Sequence, residues 1–546
     1  MRKLIIIRTI SQTLFFLLFV YLIISTQYSY TPGAENVSGW LKFFYDVNPL
    51  NLIGISIAAG VLYATLALGL IVLLTTILFG RYFCGWICPL GSLNHFFSSF
   101  KSERKEHRAI GLMKSNIYKP YQRIKYYLLL IMAGAAILGS LQTGVFDPIS
   151  LLGRSISMVV LPSFTWLLRT SFAALSSAGL QPLTYLGEFL YRSAMAMFLP
   201  AKQPVFHGLF WLALIFLAII VTNRIYTRFW CRAICPLGAL LGFLAGFSIF
   251  GLKKNEAACD DCNKCLLHCQ GGDNPHRQLP HHRSECHLCL NCLADCPHDA
   301  LSFGFFEERK KYIPRPQLTR RKMMFAGLAG ILAVPVLRSA MDGSYKTTPR
   351  LIRPPGSLDE EKFLVRCIRC GQCMKICPTN AIHPALLEAG WEGIFTPFLI
   401  PAIGYCEYNC VLCGQSCPTG AIQPLTAEKK NGLSGSKPVS IGTAFIDRGK
   451  CLPWAYDKDC IVCEEWCPIS PKAIKLKTES IATANGGRIT LKRPYVDAEL
   501  CNGCGACEFA CPVQGSKAIY VNSVGESRNP QNEMIQHRLK PNRSIP

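Results

Sequence analysis

The cysteines are the residues of this chain whose spacing points most directly to chemistry. The chain has 546 residues and 28 cysteines, and 24 of the cysteines fall into six runs of four. Four of the six runs follow the spacing C-x2-C-x2-C-x3-C. Three thiolates at this spacing can wrap around one iron–sulfur cube, while the fourth cysteine reaches a second cube. The runs therefore predict six 4Fe–4S clusters.

The first two runs have the spacing of a bacterial two-cluster ferredoxin. The expected ligands are Cys259, Cys262, Cys265 and Cys296 for one cluster, and Cys286, Cys289, Cys292 and Cys269 for the other. One departure is Gln270, which stands where a proline usually follows the fourth cysteine. Zinc sites instead use C-x2-C pairs separated by a longer gap, commonly with histidine ligands. Six repeated runs argue against zinc.

Four further runs occupy the last third of the chain. The second has one extra residue after Cys406, and eight residues separate Cys451 from Cys460. Every run ends in Cys-Pro and is followed by Ala-Ile, which predicts four clusters in α+β ferredoxin-like units. The spacing leaves open whether each fourth cysteine joins its own triplet or a neighbouring one. The expected ligands are Cys367, Cys370, Cys373, Cys377, Cys406, Cys410, Cys413, Cys417, Cys451, Cys460, Cys463, Cys467, Cys501, Cys504, Cys507 and Cys511.

The remaining cysteines lie in an internal repeat. Residues 81–93 match residues 228–240, and each copy contains one C-x3-C-P motif. The motif cysteines are Cys84, Cys88, Cys231 and Cys235. Cysteines four positions apart lie on one face of a helix, so the four could bind one metal or cluster, or form redox-active dithiols. A third interpretation is that they are small residues that let helices pack closely.

Half of the residues are hydrophobic, and long apolar segments surround this repeat. Spanning helices are predicted over 4–24, 50–79, 126–141 and 206–222. The basic loop 101–125 predicts that the amino terminus and this loop face the cytoplasm. Residues 147–200 contain prolines and arginines and are predicted to form helices on the outer face. A hidden pair of spans there is the alternative.

A twin arginine, Arg320 and Arg321, precedes an apolar run that ends near Pro335. Twin-arginine signals direct export of folded proteins, and iron–sulfur domains receive their clusters before export. We therefore expect a fifth helix that leaves residues 253–322 in the cytoplasm and carries 340–546 to the periplasm. The run is shorter than the roughly 20 residues of a spanning helix, so an ordinary buried or interfacial helix is the alternative.

These patterns predict a multi-domain fold, an α-helical transmembrane bundle plus α+β ferredoxin-like 4Fe–4S domains. The predicted parts are a transmembrane domain over 1–252, a two-cluster domain over 253–308, a linker with the twin arginine over 309–345 and a four-cluster domain over 346–546. The formal charge is +23, which six clusters would reduce to roughly +11. No recognition motif for nucleic acid accompanies this charge, and no nucleotide-, flavin- or haem-binding motif is present.

The chain up to about residue 310 resembles NapH, the membrane ferredoxin of periplasmic nitrate reductase systems, in its paired C-x3-C-P motifs and two clusters. The remainder resembles NapG, its exported four-cluster partner, and the methylamine-utilisation proteins MauN and MauM share both patterns. The resemblance implies a component of a quinol dehydrogenase in the bacterial inner membrane. Electrons from a membrane quinol would pass through six clusters to a periplasmic reductase of the nitrate reductase type or a cytochrome c.

Two alternatives to this function follow. The chain could supply electrons for maturation or reactivation of a periplasmic metalloenzyme, such as nitrous-oxide reductase or methylamine dehydrogenase. It could also be a ferredoxin scaffold with all six clusters inside the cell. For the quinol site, the ionisable residues near the outer ends of the spans are the candidates, namely Asp147, Glu188 and His207.

Overall fold

The computed structural model describes most of the chain. The described residues are 2–26, 39–99, 105–177, 181–275 apart from 198 and 201, 281–305, 316, 318–339, 350–482 apart from 434 and 436, and 488–532. Much of the predicted linker 309–345 and the start of the basic loop 101–125 lie outside these residues. We call 2–249 the helical part, 250–305 the amino-terminal ferredoxin part and 350–532 the carboxyl-terminal ferredoxin part.

The helical part contains no strand among its described residues. Its α-helices are Arg2–Ser25, Phe43–Asp46, Pro49–Ala59, Leu68–Phe79, Tyr82–Trp86, Pro89–Ser99, Lys105–Asn116, Ile124–Ile137, Thr143–Phe146, Pro148–Ser155, Leu161–Ser176, Gln181–Met197, Leu209–Ile225, Phe229–Ala233 and Pro236–Ala245. Short 3₁₀ turns cover Gly39–Lys42, Ala64–Leu66 and Pro120–Arg123.

The predicted continuous span over 50–79 is two helices in the structure. Asn48 caps the first helix by accepting a hydrogen bond from the backbone of Leu50, and Gly60 ends it with a φ of 66°. A left-handed residue of this kind terminates a helix, and glycine adopts it without a steric penalty. The second helix begins only at Leu68. A single glycine therefore divides an apolar stretch that hydropathy reads as one segment.

Residues 148–176 also differ from the expectation of helices on a surface. Helices Pro148–Ser155 and Leu161–Ser176 are joined without a break by a π-helical turn, Ile156–Val160. Pro162 has no N–H to donate to this continuous run, and the π-helical turn directly before it accommodates the missing hydrogen bond. Among the described residues, this 29-residue run and Lys3–Ser25 are the two helices long and apolar enough to cross a membrane.

The amino-terminal ferredoxin part has one two-stranded antiparallel sheet. Strands Phe250–Lys254 and Leu301–Phe305 pair in it, with Leu252 opposite Phe303. Helical turns Lys264–Leu267, Arg283–Glu285 and Asn291–Asp295 lie between the strands in sequence. Leu252, Leu293 and Leu301 are buried against Cys292 and form a small core.

The carboxyl-terminal ferredoxin part joins short helices to three two-stranded antiparallel sheets. The paired strands are Ile382–Pro384 with Pro397–Leu399, Thr443–Ile446 with Ile519–Asn522, and Ile474–Ala482 with Arg488–Val496. The α-helices are Glu360–Arg366, Gln372–Lys375, Leu412–Gln415, Ala427–Asn431, Leu452–Ala455, Val462–Glu465 and Ala506–Ala510. Five cysteines belong to its largest buried cluster, namely Cys367, Cys373, Cys413, Cys507 and Cys511.

Helix Arg320–Ser339 begins at the twin arginine and packs along helix Ile124–Ile137. Glycines make the close approach possible, because a side chain at Gly330 would overlap the backbone carbonyl of Ile131. Small residues play this role at helix contacts in membranes. At its far end Arg338 forms an ion pair of 3.0 Å with Glu392 of the carboxyl-terminal ferredoxin part.

The two ferredoxin parts contact opposite ends of helix Arg2–Ser25. Near its start, Arg8 donates hydrogen bonds to the carbonyl of Cys289 at 3.0 Å and to Asn291 at 2.9 Å. Near its end, Lys375 donates to the carbonyls of Ile23 and, at 2.7 Å, Thr26. The helix has 24 residues. Arg8 and Ile23 are therefore separated by about 22 Å along its axis, at about 1.5 Å per residue.

Candidate metal centres

The structure gathers the cysteines of the six runs into six groups of four. Each group combines the first three cysteines of one run with the last cysteine of a neighbouring run. We name each group by its first cysteine. The groups are Cys259, Cys262, Cys265 and Cys296; Cys286, Cys289, Cys292 and Cys269; Cys367, Cys370, Cys373 and Cys417; Cys406, Cys410, Cys413 and Cys377; Cys451, Cys460, Cys463 and Cys511; and Cys501, Cys504, Cys507 and Cys467.

This nested arrangement answers the question that the spacing left open in the carboxyl-terminal ferredoxin part. Three groups line cavities of their own: the Cys259 group, the Cys451 group and the Cys501 group. Because each pair of groups is built from the same two runs, displacing either run would disrupt both groups of the pair. That these groups bind clusters stays a prediction.

In the absence of metal, burial disfavours the charged thiolate form of these cysteines. Burial, and then the neighbouring thiols Cys259 and Cys262, raises the pKa of Cys265 to about 12. Burial likewise raises the pKa of Cys463 to about 12 and that of Cys451 to about 11. A bound metal replaces the thiol protons and compensates the charge of the thiolates. The donor set, four thiols in each of six sheltered groups, fits an iron–sulfur cluster.

The spacing of the donor atoms does not fit a single zinc ion. Zinc–sulfur bonds of about 2.3 Å would place four sulfurs within about 3.8 Å of one another. Among the described residues, which include all 28 cysteines, the one group of three or more metal-binding side chains with atoms all within 4.8 Å is Asp273, His281 and Cys286. The cysteine groups are therefore wider than a single ion requires.

The binding loops share an unusual backbone. In the four runs with regular spacing, the residues on both sides of the second cysteine have a positive φ, which folds the loop inward. These residues are Asp261, Asn263, Leu288, Leu290, Arg369, Gly371, Gly503 and Gly505. Five of the eight are not glycine, and such strain persists where the surrounding structure imposes it, often at functional sites. The runs with insertions, at Cys406 and Cys451, do not show this pattern.

The amino-terminal ferredoxin part is held to the helices by a buried ionic network around Glu285. This carboxylate accepts hydrogen bonds from Lys125 and Tyr126, the latter at 2.8 Å, and pairs with Arg81 at 3.5 Å. Burial alone would raise the pKa of Glu285, but the charges of Lys125 and Arg81 hold it below its ordinary value. Because Cys286 follows Glu285 directly, the network fixes the start of the Cys286 group.

The carboxyl-terminal ferredoxin part docks on the opposite end of the helices through the Cys367 run. Arg369 donates to the carbonyls of Leu141 and, at 2.7 Å, Glu392, while Arg154 donates to the carbonyl of Arg369 at 3.1 Å. Gln372 donates to the hydroxyl of Tyr45 at 2.9 Å. The Cys367 group therefore lies directly against the helical part.

The three candidates for a quinol site do not come together. Asp147 is fully buried and accepts hydrogen bonds from Asn48 and from the backbone of Ser150, which makes it a helix cap. Glu188 is exposed beside Arg192. His207 lies at the contact with the carboxyl-terminal ferredoxin part, where it pairs with Glu388 at 3.1 Å. These positions give the three residues separate structural roles.

A cavity that the sequence did not indicate lies where the carboxyl-terminal ferredoxin part meets the helices. It holds about 880 Å³ of space between atoms, its open mouth included. Apolar side chains form much of its wall, Cys377 lines it, and Lys202, Lys375 and Asn380 supply polar groups. No local sequence signal marks it, because its lining residues come from segments that are far apart in the chain.

Exchange of single cysteines tests the nested grouping. In the fraction of the protein that remains folded, Cys417→Ser should alter the same component of the electron paramagnetic resonance spectrum of the reduced protein as Cys367→Ser, because the two thiols share a group. Cys377→Ser should alter the component that Cys410→Ser alters. If Cys417→Ser and Cys410→Ser instead change one component in common, the runs are not nested.

Comparison with known proteins gives two family models, both described as 4Fe-4S binding domain. One matches residues 61–107 and 208–255, and the other matches residues 364–383 and 494–514. The first model covers both C-x3-C-P motifs, and the second covers the whole of the Cys367 run and the whole of the Cys501 run. No solved structure matches the chain.

Curated proteins also match. The methylamine utilization ferredoxin-type protein MauM of Methylorubrum extorquens is 32% identical over 228 residues, which is 40% of this chain and 97% of that protein. The ferredoxin-type protein NapG of Haemophilus influenzae is 32% identical over 216 residues, 38% of this chain and 69% of that protein. An uncharacterized protein of Methanocaldococcus jannaschii is 26% identical over 311 residues, 57% of this chain and 92% of that protein.

Proposed function

Because the chain belongs to the family of ferredoxin-type proteins that includes MauM and NapG, we propose that it is a membrane-bound relay that takes electrons from a quinol. In this proposal the electrons leave through the carboxyl-terminal ferredoxin part to a reductase or cytochrome c in the periplasm. The observation that carries the proposal is the cavity between the helices and Cys377.

The walls of the cavity suit the two ends of a quinol. Ile24, Leu161 and Phe164 belong to the helical part and offer an apolar surface for an isoprenoid tail, while Lys202 and Asn380 supply polar groups to the lining. Ligand sites are typically of this kind, mostly apolar with a few polar groups. Cys377 belongs to the Cys406 group, so a ring in this cavity would lie beside a candidate centre.

The chemistry divides between the centres and the protein. A bound 4Fe–4S cube accepts one electron and no proton, so the two protons of each quinol must leave separately. Lys202 is exposed at the cavity and donates to the carbonyl of Thr379 at 3.4 Å. We expect this side chain to lie on the route by which protons reach water.

The surface of the helical part supports its place in a membrane. Helix Arg2–Ser25 carries exposed apolar side chains along its length, among them Ile6, Ile10, Leu14 and Leu17. Large exposed apolar surfaces of this kind mark contact with a membrane or another protein. The contacts of the two ferredoxin parts with opposite ends of this helix support a cytoplasmic position for 253–322 and a periplasmic one for 340–546.

We propose the domain boundaries on the same basis: a transmembrane domain over 1–252, a two-cluster domain over 253–308, a linker with the twin arginine over 309–345 and a four-cluster domain over 346–546. A methylamine-utilisation system is a second candidate destination for the electrons, because the MauM relative is named for that process and is matched over 97% of its length. In that case the same sites would supply electrons for maturation of a metalloenzyme.

Filling the cavity tests the quinol site. Ser157 lines the cavity and has a buried hydroxyl without a hydrogen-bond partner among the described residues. Ser157→Leu should slow reduction of the centres by a quinol analogue at least about tenfold, which corresponds to about 1.4 kcal/mol. Dithionite should still reduce them fully, because it needs no quinol site.

The matched control is Ser193→Leu. Ser193 makes a hydrogen bond of 2.8 Å within its own helix and does not line the cavity, so this variant should behave as the wild type. Equal rates of quinol reduction in Ser157→Leu and Ser193→Leu, at equal iron content, would remove the cavity from the proposal.

A further inference from the structure

The two copies of the internal repeat bring their four cysteines together inside the helical part. Cys84, Cys88, Cys231 and Cys235 are between 4% and 8% exposed. Each lies within electrostatic range of thiols from the other copy. Each family-model match contains only one C-x3-C-P pair, which supplies two thiols. In the structure the two pairs form one site of four thiols.

An arginine from each copy crosses to the other copy. Arg228 of the second copy donates to the carbonyl of Cys84 at 3.0 Å. Arg81 of the first copy lies against Gly238, where an added side chain would come within 2.9 Å of its guanidinium. Both arginines are fully buried. The exchange gives the site an approximate twofold symmetry that follows from the repeat in the sequence.

Polar groups at this site lack protein partners. Among the described residues, Nε and Nη2 of Arg81, the same atoms of Arg228, and Nε1 of Trp230 are buried and have no hydrogen-bond acceptor. Arg81, Arg228 and Lys125 carry three positive charges, and Glu285 pairs with two of them and supplies one negative charge. A buried excess of positive charge beside four thiols is costly unless an anion occupies the site.

We propose that Cys84, Cys88, Cys231 and Cys235 together bind one further 4Fe–4S cluster, a seventh centre. Such a cluster with its four thiolates carries about −2, which offsets positive charge of the surrounding side chains. A pair of dithiols would carry no charge when reduced or when oxidised to disulfides. A role in packing alone would leave Arg228 without an anion among the described residues, while Glu285 alone would serve both Arg81 and Lys125.

The position of the seventh centre gives it a role. Gly85, between Cys84 and Cys88, contacts the carbonyl of His287, and His287 lies between Cys286 and Cys289 of the neighbouring group. The large buried apolar cluster that contains Cys84 and Cys88 also extends to Ile368 and Cys370 of the carboxyl-terminal ferredoxin part. The seventh centre therefore lies between the two ferredoxin parts.

This position implies that single electrons, without protons, can pass between the two ferredoxin parts through the helices. That role rests on the proposed function, because it concerns the direction of the relay. The binding of a seventh cluster does not depend on it.

The iron content of the whole chain tests the proposal. Seven clusters require roughly 28 iron atoms and as many sulfides per chain, against roughly 24 for six. Full-length protein purified without oxygen should give the higher number. The double variant C84S/C231S should lose about four iron atoms and four sulfides, while Ser92→Ala, a change within the first copy that keeps all four cysteines, should lose none.

Two results would overturn the seventh centre. One is a wild-type chain with about 24 iron atoms, and this measurement needs no variant to fold. The other is a folded C84S/C231S protein with the iron content and reduced electron paramagnetic resonance spectrum of the wild type. A chain with roughly 28 iron atoms that no quinol reduces would overturn the proposed function and leave the seventh centre in place.

Discussion

Changing Glu285 to alanine is expected to lower the free energy of unfolding of the amino-terminal ferredoxin part by about 3–5 kcal/mol, the usual cost of breaking a buried ion pair by removing one partner. Glu285 is 2% exposed, and Lys125 and Arg81 are fully buried beside it. The variant leaves both cations without their anion. Hydrogen exchange of the backbone amides in residues 281–295 reports this local stability.

Glu479 provides a matched control for this change. Like Glu285 it accepts a hydrogen bond from a tyrosine, Tyr495 at 2.6 Å, and pairs with an arginine, Arg493 at 3.2 Å. Glu479 lies on an exposed hairpin, where solvent weakens such pairs. Glu479→Ala should therefore leave hydrogen exchange of its own strands, Ile474–Ala482 and Arg488–Val496, nearly unchanged. Similar effects of the two variants would show that burial of the network does not stabilise the docking.

Changing Cys413 to serine is expected to remove most of the folded carboxyl-terminal ferredoxin part. Its sheets are all two-stranded, and isolated two-stranded sheets are marginally stable at best. Cys413 is itself buried in the main apolar cluster of this part. We therefore expect metal binding to supply much of the folding free energy, as it does in small metal-dependent domains. Abundance of the protein and its resistance to protease measure the effect.

Val411→Thr is the control for Cys413→Ser. Val411 lies two positions away and is also buried, and the change introduces a hydroxyl at nearly constant volume without removing a ligand. This variant should keep its iron and remain abundant. A stable, abundant Cys413→Ser protein that lacks one cluster would contradict the dependence of the fold on metal.

The cysteine spacing predicted much of the site, because the four-residue runs of a ferredoxin are a local signal. Nesting in the carboxyl-terminal ferredoxin part could not be predicted in this way. Tertiary contacts bring Cys417 to the Cys367 group and Cys377 to the Cys406 group. The same limit applies to the C-x3-C-P repeat. The sequence shows two equal copies, but the crossing of Arg81 and Arg228 depends on how the copies pack.

Hydropathy located most of the helices and missed the features set by single residues. Gly60 divides the predicted span 50–79, and the π-helical turn before Pro162 lets one helix continue where prolines suggested breaks. The candidates for a quinol site are ionisable residues near the outer ends of the predicted spans, and the sequence does not show their contacts; the structure gives Asp147 the role of a helix cap. The cavity beside Cys377 is formed by residues distant in sequence, so no local pattern indicates it.

The most direct test of the central claim, a relay with its ferredoxin parts on opposite sides of a membrane, is protease treatment of intact spheroplasts. Wild-type residues 350–532 should be cut while residues 253–305 are protected. Changing the exposed pair Arg320 and Arg321 to lysine should protect both parts, because export of a folded domain requires the twin arginine; Lys322→Arg should behave as the wild type. Protection of residues 350–532 in the wild-type chain would contradict the crossing and the delivery of electrons to a periplasmic acceptor.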